Sequence, residues 1–174
     1  MIDCYLGLGA NLGDALGALQ GAHRALIQHS SVDLIAASAI YRSAPVGPDG
    51  QNDYLNGAIG IRTHLEAEKL LDLIQDLELR AGRERKEHWG PRTLDVDLLL
   101  YGSEIIDTPR LLVPHAHVYE RNFVLLPLAD LLPESWSFPD GSALRDRLAS
   151  APENRIERTD LQWVEESEPG RMSA

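Results

Sequence analysis

The chain has 174 residues, with 16 lysines and arginines against 27 aspartates and glutamates, a formal net charge of −11. Hydrophobic residues make up 44% and charged residues 25%, the profile of one globular domain with a sizeable core. The acidic balance argues against nucleic-acid binding, which needs cationic surface to neutralise phosphates, and no apolar run approaches the ~20 residues that cross a bilayer, so no membrane partner is expected.

Residues 2–9 are apolar and aromatic enough for a first strand. They include the lone Cys4, which can form neither an internal disulfide nor a thiolate metal cage and reads as a small buried apolar residue in a reducing cytoplasm. The opening segment, Met1 to Leu6, lacks a basic region and a small-residue cleavage site, so no secretory leader is expected and the location expected is cytoplasmic. Gly7-x-Gly9 followed by Gly13 is superficially like a dinucleotide fingerprint. The third glycine comes one residue too late, and no Gly-Lys-Ser/Thr makes a phosphate loop. The segment reads instead as a tight strand-to-helix turn with close backbone approach at Gly9.

Ala15, Leu16, Ala18, Leu19, Ala22, Ala25 and Leu26 then recur at helical spacing, which predicts an amphipathic helix to about residue 29. Residues 33–42 read as a second strand. The segment Ser43 to Gly50 must be a loop, because its two prolines and two glycines suppress ladder pairing. A third strand is expected over 54–62, followed by a capping box from Thr63 to Glu66. The next helix carries Ala67, Leu70, Leu71, Ile74 and Leu77 on one face and stops at Gly82. After a charged loop over 83–93 comes a fourth strand, Leu94 to Tyr101. A Pro114-His115 segment, a helix from about Arg121 to Leu131 and a short one over 142–149 complete the pattern. No repeat or linker divides the chain. The expectation is a single α+β domain, ferredoxin-like, with an antiparallel sheet and helices packed on both sides: residues 1–150 form its body, and 151–174 a polar C-terminal extension, mobile at its end.

Asp95 and Asp97 stand two apart on the fourth strand, so both carboxylates project from one face. Two close anions repel unless protonation, arginines or a hard dication compensates them. Mg²⁺ commonly takes one or two carboxylates plus substrate phosphates. An acidic pair at this spacing is by itself more often a solvated strand face. The neighbours tilt the balance: Arg80, Arg83, Arg85, Lys86 and Arg92 precede the pair against only Glu84 and Glu87, and Arg110 and Arg121 follow. Guanidinium forks bind phosphate oxygens and stay charged throughout a reaction, and phosphoryl-type transfer needs little beyond positioning and charge neutralisation. His115 is a further candidate for a phosphate or polar ligand. The other histidines (23, 29, 64, 88 and 117) show no metal-ligand spacing and are assigned nothing.

Trp89-Gly90-Pro91-Arg92-Thr93-Leu94-Asp95-Val96-Asp97-Leu98 closely resembles the signature of the hydroxymethyldihydropterin pyrophosphokinase family of folate biosynthesis. Supporting blocks occur in the family's order: Gly9-Ala10-Asn11-Leu12-Gly13-Asp14, Tyr41 to Gly47, Gln51 to Asn56, Val113-Pro114-His115, and Glu120 to Leu125 with Pro127-Leu128. The resemblance covers about residues 2–140. It implies that MgATP binds first and the pterin second, that the pterin hydroxymethyl oxygen attacks the β-phosphorus, and that AMP leaves. Asp95 and Asp97 would then ligate two Mg²⁺ ions bridging the triphosphate. Arg83 and Arg92 would engage the transferred group, and Arg85, Arg110, His115 and Arg121 would hold phosphates or ribose. Gln75 and Glu78 match the nucleotide-contacting helix, and Leu98 and Leu112 would line the adenine side. The pterin site would combine Gly9, Ser43, Ala44, Pro45, Val46, Tyr54, Asn56, Trp89 and Phe123, with Trp89 also touching ATP.

Three departures stand out: a one-residue shortening between Arg83 and Trp89, Ala116 where an aromatic or proline is common, and Leu112 in place of a frequent hydroxyl residue. Loops 44–53 and 83–93, rich in glycine, proline and charge, are expected to close over the ligands. The partners expected are ATP and the pterin, acting on a monomer. The length leaves no room for a fused dihydropteroate synthase or aldolase module, so none is expected. Two other readings use the same residues: a magnesium-dependent nucleotidyltransferase on a ferredoxin-like fold, and a non-catalytic ligand-binding domain. The first gives no reason for Tyr54, Asn56 and Phe123, and the second predicts no turnover and no loss of function in Asp95→Ala or Asp97→Ala.

Overall fold

The computed structural model describes residues 1–82 and 93–164. The elements in chain order are β1 (Ile2–Ala10), α1 (Ala15–Gln28), β2 (Val32–Ala37), β3 (Tyr41–Ser43), β4 (Tyr54–Thr63), α2 (Ala67–Arg80), β5 (Asp95–Tyr101), β6 (Ile106–Asp107), β7 (Leu112–Val113), α3 (Asn122–Leu131), α4 (Leu144–Ser150) and β8 (Ile156–Arg158). A six-stranded antiparallel sheet runs β5-β1-β4-β3-β8, with β2 also pairing β4, and β6 and β7 form a separate hairpin. No described helix is long and apolar enough to cross a membrane.

β1 is paired on both sides, by β4 and β5, and its alternation is nearly ideal. Cys4, Leu6, Leu8 and Ala10 are buried, and the first three pack with Leu19 and Leu26 of α1, Leu70, Ile74 and Leu77 of α2, and Val96 of β5. The opposite face meets α3 and α4, where Leu125, Leu128 and Leu144 close on Leu99, with Tyr5 packed beside them. Helices therefore cover both sides of one antiparallel sheet, the layered arrangement expected of an α+β domain. Burial pushes the Cys4 thiol up to about 12, so it stays protonated and inert.

Local signals set most boundaries. Asp14 caps α1 by accepting the Gly17 amide at 2.9 Å, and the preceding turn uses Gly13 at φ +57°. β1 thus runs through Gly9 to Ala10, and the tight turn lies further along than Gly9. Antiparallel pairing on both sides of β1 also excludes a parallel dinucleotide-binding unit.

The expected capping box does not form. Thr63 ends β4 fully buried; its hydroxyl donates to the Ser31 carbonyl at 2.6 Å and accepts from the Leu65 amide. Glu66 caps α2 with no side-chain hydrogen bond. The expected strand over 33–42 is two strands. Between them the Ser38 amide donates to the Ala58 carbonyl, its hydroxyl accepts from the Ala58 amide, and the Ala39 amide donates to Asp130 of α3.

Residues beyond 151 are tied into the body. β8 pairs with β3, and Trp163 is buried, its indole N–H donating to the Ser38 carbonyl at 2.6 Å. A Cβ on Gly57 would collide with the Trp163 ring, so that glycine is what lets the indole lie flat on β4. Residues 165–174, where a mobile end was expected, lie outside the described residues.

Two measurements test this packing. Trp163→Ala should cost about 3–5 kcal/mol in urea unfolding, the range for emptying a buried aromatic site. His23, buried beside Trp163 with ring centroids 5.7 Å apart, has its pKa lowered by burial. The unfolded chain therefore takes up this proton first as pH falls below about 6.5, and stability should drop from there down through the folded pKa. His23→Gln should flatten that part of the stability–pH curve.

Candidate functional site

In an antiparallel pair, residues directly opposite project from the same face. Asp95 of β5 lies opposite Gly9 of β1, and Asp97 opposite Gly7. Gly9 in turn faces Asn56 of β4, and Gly7 faces Ala58. Ser43 of β3 faces Tyr54. These residues line one cavity on the α3 side of the sheet, together with Leu99, His115, His117, Arg121, Phe123 and Val124. The glycines matter because they put nothing above the sheet between the carboxylates and Asn56. A Cβ at Gly9 would stand 3.0 Å from the Asn56 side-chain oxygen, and one at Gly7 would press on Leu99. Val96 and Leu98, the alternate residues, are buried in the core on the other face, so the acidic pair is held on the cavity side.

The wall opposite the sheet comes from the β7–α3 connection. The Val113–Pro114 peptide is cis, and the His115 amide donates to the Leu99 carbonyl at 3.1 Å, which docks this segment against β5. The His117 amide donates to His115 Nδ1 at 3.3 Å, so the proton of the neutral imidazole sits on Nε2. That nitrogen is 3.5 Å from the Asp97 carboxylate. Burial, then the neighbouring His117 and Arg121, lower the His115 pKa against an opposing pull from Asp95. Neutral imidazole donating from Nε2 is therefore the form present at physiological pH. Arg121 caps the start of α3 and stacks over Phe123 at 5.6 Å, bringing a permanent cation and an aromatic face to the cavity rim.

The Tyr54 end is a polar floor. Asn56 is buried and donates to the Ser43 hydroxyl at 2.7 Å. Ala44 and Val46 line the cavity, with Val46 half exposed. Pro45 lies between them in the chain without lining it.

Other expected site residues lie outside this cavity, on α2, β5 and β7 and in the segment between β6 and β7. Glu78 is buried, and its carboxylate accepts the Val96 amide at 2.9 Å. Gln75 sits one turn earlier on α2. Leu98 is buried. Arg110 pairs with Asp72 at 2.7 Å and Glu68 at 3.3 Å on α2, and Leu112 is exposed on β7. None of these five lines the cavity. Arg83, Arg85, Lys86, Trp89 and Arg92 lie outside the described residues.

Sequence reasoning set His117 aside, yet it lines the cavity and pairs with Glu120 at 2.8 Å. The signal was there in hindsight: His117 is two residues from His115, close enough for its amide to orient that ring.

For Mg²⁺ the donor set fits. Two half-exposed carboxylates on one face offer hard oxygen ligands, and no group of three or more metal-ligating side chains exists among the described residues. Such a pair leaves most of an octahedron to phosphate oxygens and water.

Comparison with known proteins places this geometry in context. The family described as 7,8-dihydro-6-hydroxymethylpterin-pyrophosphokinase matches residues 5–133. The chain is 45% identical over 154 residues to the 2-amino-4-hydroxy-6-hydroxymethyldihydropteridine pyrophosphokinase of Pseudomonas aeruginosa, covering 88% of this chain and 94% of that one. It is 46% identical over 127 residues to the enzyme of the same name from Bacillus subtilis, covering 73% and 76%. Among solved structures, a Plasmodium falciparum HPPK-DHPS triple mutant shares the fold with a TM-score of 0.66 at 13% identity, over 85% of this chain. This chain spans only 43% of that longer one.

Proposed function

This chain belongs to the 7,8-dihydro-6-hydroxymethylpterin-pyrophosphokinase family, and we propose on that footing that it transfers pyrophosphate from ATP to 6-hydroxymethyl-7,8-dihydropterin. The order of strands and helices from β1 to β5 reads as a ferredoxin-like unit, with residues 151–164 an extension of the same domain, working as a cytoplasmic monomer. The observation that carries the proposal is the row Asp95–Gly9–Asn56, which sets an acidic pair and a buried polar floor within one cavity.

The pterin lies over Gly9 against Tyr54 and Phe123. Its amide-like edge meets Asn56 and the backbone of Ser43 to Val46, since a flat heterocycle wants aromatic faces and a few fixed polar partners. Its hydroxymethyl group then points at Asp95 and Asp97. The nucleotide comes in along β5, with Gln75, Glu78, Leu98 and Leu112 toward the base and ribose, and Arg110, His115 and Arg121 toward the phosphates. The hydroxymethyl oxygen bonds to the β-phosphorus as the bond from that phosphorus to the α-phosphate oxygen breaks. AMP departs with the bridging oxygen, and the hydroxyl proton passes to solvent water. Asp95 and Asp97 would hold two Mg²⁺ ions, which supply neutralisation of charge on attacking and leaving oxygens. His115 donates from Nε2, and Arg121 keeps its charge throughout. Arg83, Arg85, Trp89 and Arg92 complete the proposed set: Arg83 and Arg92 at the transferred group, Arg85 and Trp89 at ATP, and Trp89 also at the pterin. Arg110 must exchange its α2 carboxylates for phosphate, because both its forks are engaged with Glu68 and Asp72.

One incubation with ATP, Mg²⁺ and hydroxymethyldihydropterin should yield AMP and a pterin diphosphate, whereas a nucleotidyltransferase would release pyrophosphate. Asp97→Ala should lower turnover about a hundredfold or more, as loss of a preorganised electrostatic group does. It should leave the melting temperature unchanged or raised, since one of two neighbouring anions is gone. Full activity in that variant would refute the assignment.

A further inference from the structure

The cavity's pterin side is built on a ten-residue connection, 44–53, between the paired ends Ser43 and Tyr54. Its apex carries Gly47 and Gly50, both at positive φ, and the half-exposed Val46. Its two ends are held by one residue from the far end of the chain. The Arg155 carbonyl accepts the Ala44 amide at 2.9 Å, while its guanidinium forks onto both Asp53 oxygens at 2.6 and 3.0 Å. Asn154 adds a bond from its side-chain amide to the Ala44 carbonyl, and its own carbonyl accepts from Asn122 at the start of α3. Asn11 ties the loop again through the Asn52 carbonyl. These contacts fasten both ends of the connection, and within it the Gln51 side-chain amide donates to the Pro48 carbonyl at 3.3 Å.

We propose that Arg155 is a positioning residue for the pterin: by clamping both ends of the 44–53 connection it presets the apex to close on the ring. Arg155 lies beyond residue 133, where the family match ends. The proposal rests on the pterin reading of this cavity. It concerns the pterin and not ATP, because the clamped loop borders Tyr54 and Asn56 while the residues assigned to the base lie outside the cavity. The fork also holds the Asp53 carboxyl below its ordinary range, so the pair stays ionised across the assay pH. Arg155 is well exposed on one side, and its removal leaves the core intact.

Arg155→Gln and Asp53→Asn should each raise the pterin KM about tenfold while kcat and the ATP KM stay within about twofold, the signature of lost binding rather than lost transition-state contact. The charge-reversed double variant Asp53→Arg/Arg155→Asp should recover most of the pterin KM that either reversal alone forfeits. In hydrogen exchange without ligands, the amides of Val46, Gly47, Asp49 and Gly50 should exchange faster in Arg155→Gln, with β1 and β4 unchanged. An unchanged pterin KM, or equal damage to all three kinetic parameters, overturns the proposal. Should the wild-type chain give no AMP with the pterin, the reaction reading fails, and unchanged exchange of those four amides would still, separately, defeat the clamp.

Discussion

Two carboxylates held side by side on one strand are the constraint around which this molecule is arranged. Their mutual repulsion would drive them apart or into solvent if β5 could twist or slip. It cannot, because Val96 and Leu98 are buried against α1 and α2 on the opposite face, and a slip of one residue would exchange buried leucine for buried aspartate. The same argument explains Gly7 and Gly9. Any side chain there would stand between the aspartates and the polar floor at Asn56. Arg121 at the head of α3 then brings positive charge from outside the sheet, and the neutral His115 ring offers its Nε2 proton 3.5 Å from Asp97.

Much of this was legible in the sequence. Alternation in β1, the 3.6-residue spacing in α1 and α2, and the acidic pair on β5 each arise from contacts within a few residues, and each appears where expected. Where reading failed, the deciding partner was distant. Thr63 and Glu66 have the form of a capping box, but Thr63 is taken by Ser31 across the sheet, and tertiary context overrode local chemistry. The strand over 33–42 broke because Asp130, far along the chain, draws on Ala39. β8 comprises Ile156, Glu157 and Arg158, too short and too polar to announce a strand without β3 beside it. Trp163 looked like part of an acidic tail, since nothing local hints that Gly57 has left space for an indole.

The site divides in the same way. Asp95, Asp97, Asn56, Tyr54 and Phe123 come together in one cavity, while Gln75, Glu78, Leu98, Arg110 and Leu112 lie outside it. Sequence order could not separate these groups, because residues 97 and 98 are neighbours that belong to opposite sheet faces. Glu78 shows how a side chain can support a site indirectly. Its carboxylate secures the Val96 amide between the two aspartates, and so steadies the strand that carries them.

Trp163 and the Asn154–Arg158 segment have a consequence for how the protein is made. They follow in the chain every element they fasten, so β1 through α3 can pair and pack while the 44–53 connection is held only by Asn11 and by its own paired ends. The acidic pair and Asn56 are in place at that stage, and the clamp on the loop beside them is not. The second fastening of that connection would thus be gained late, in a single step, as the last described strand docks beside β3.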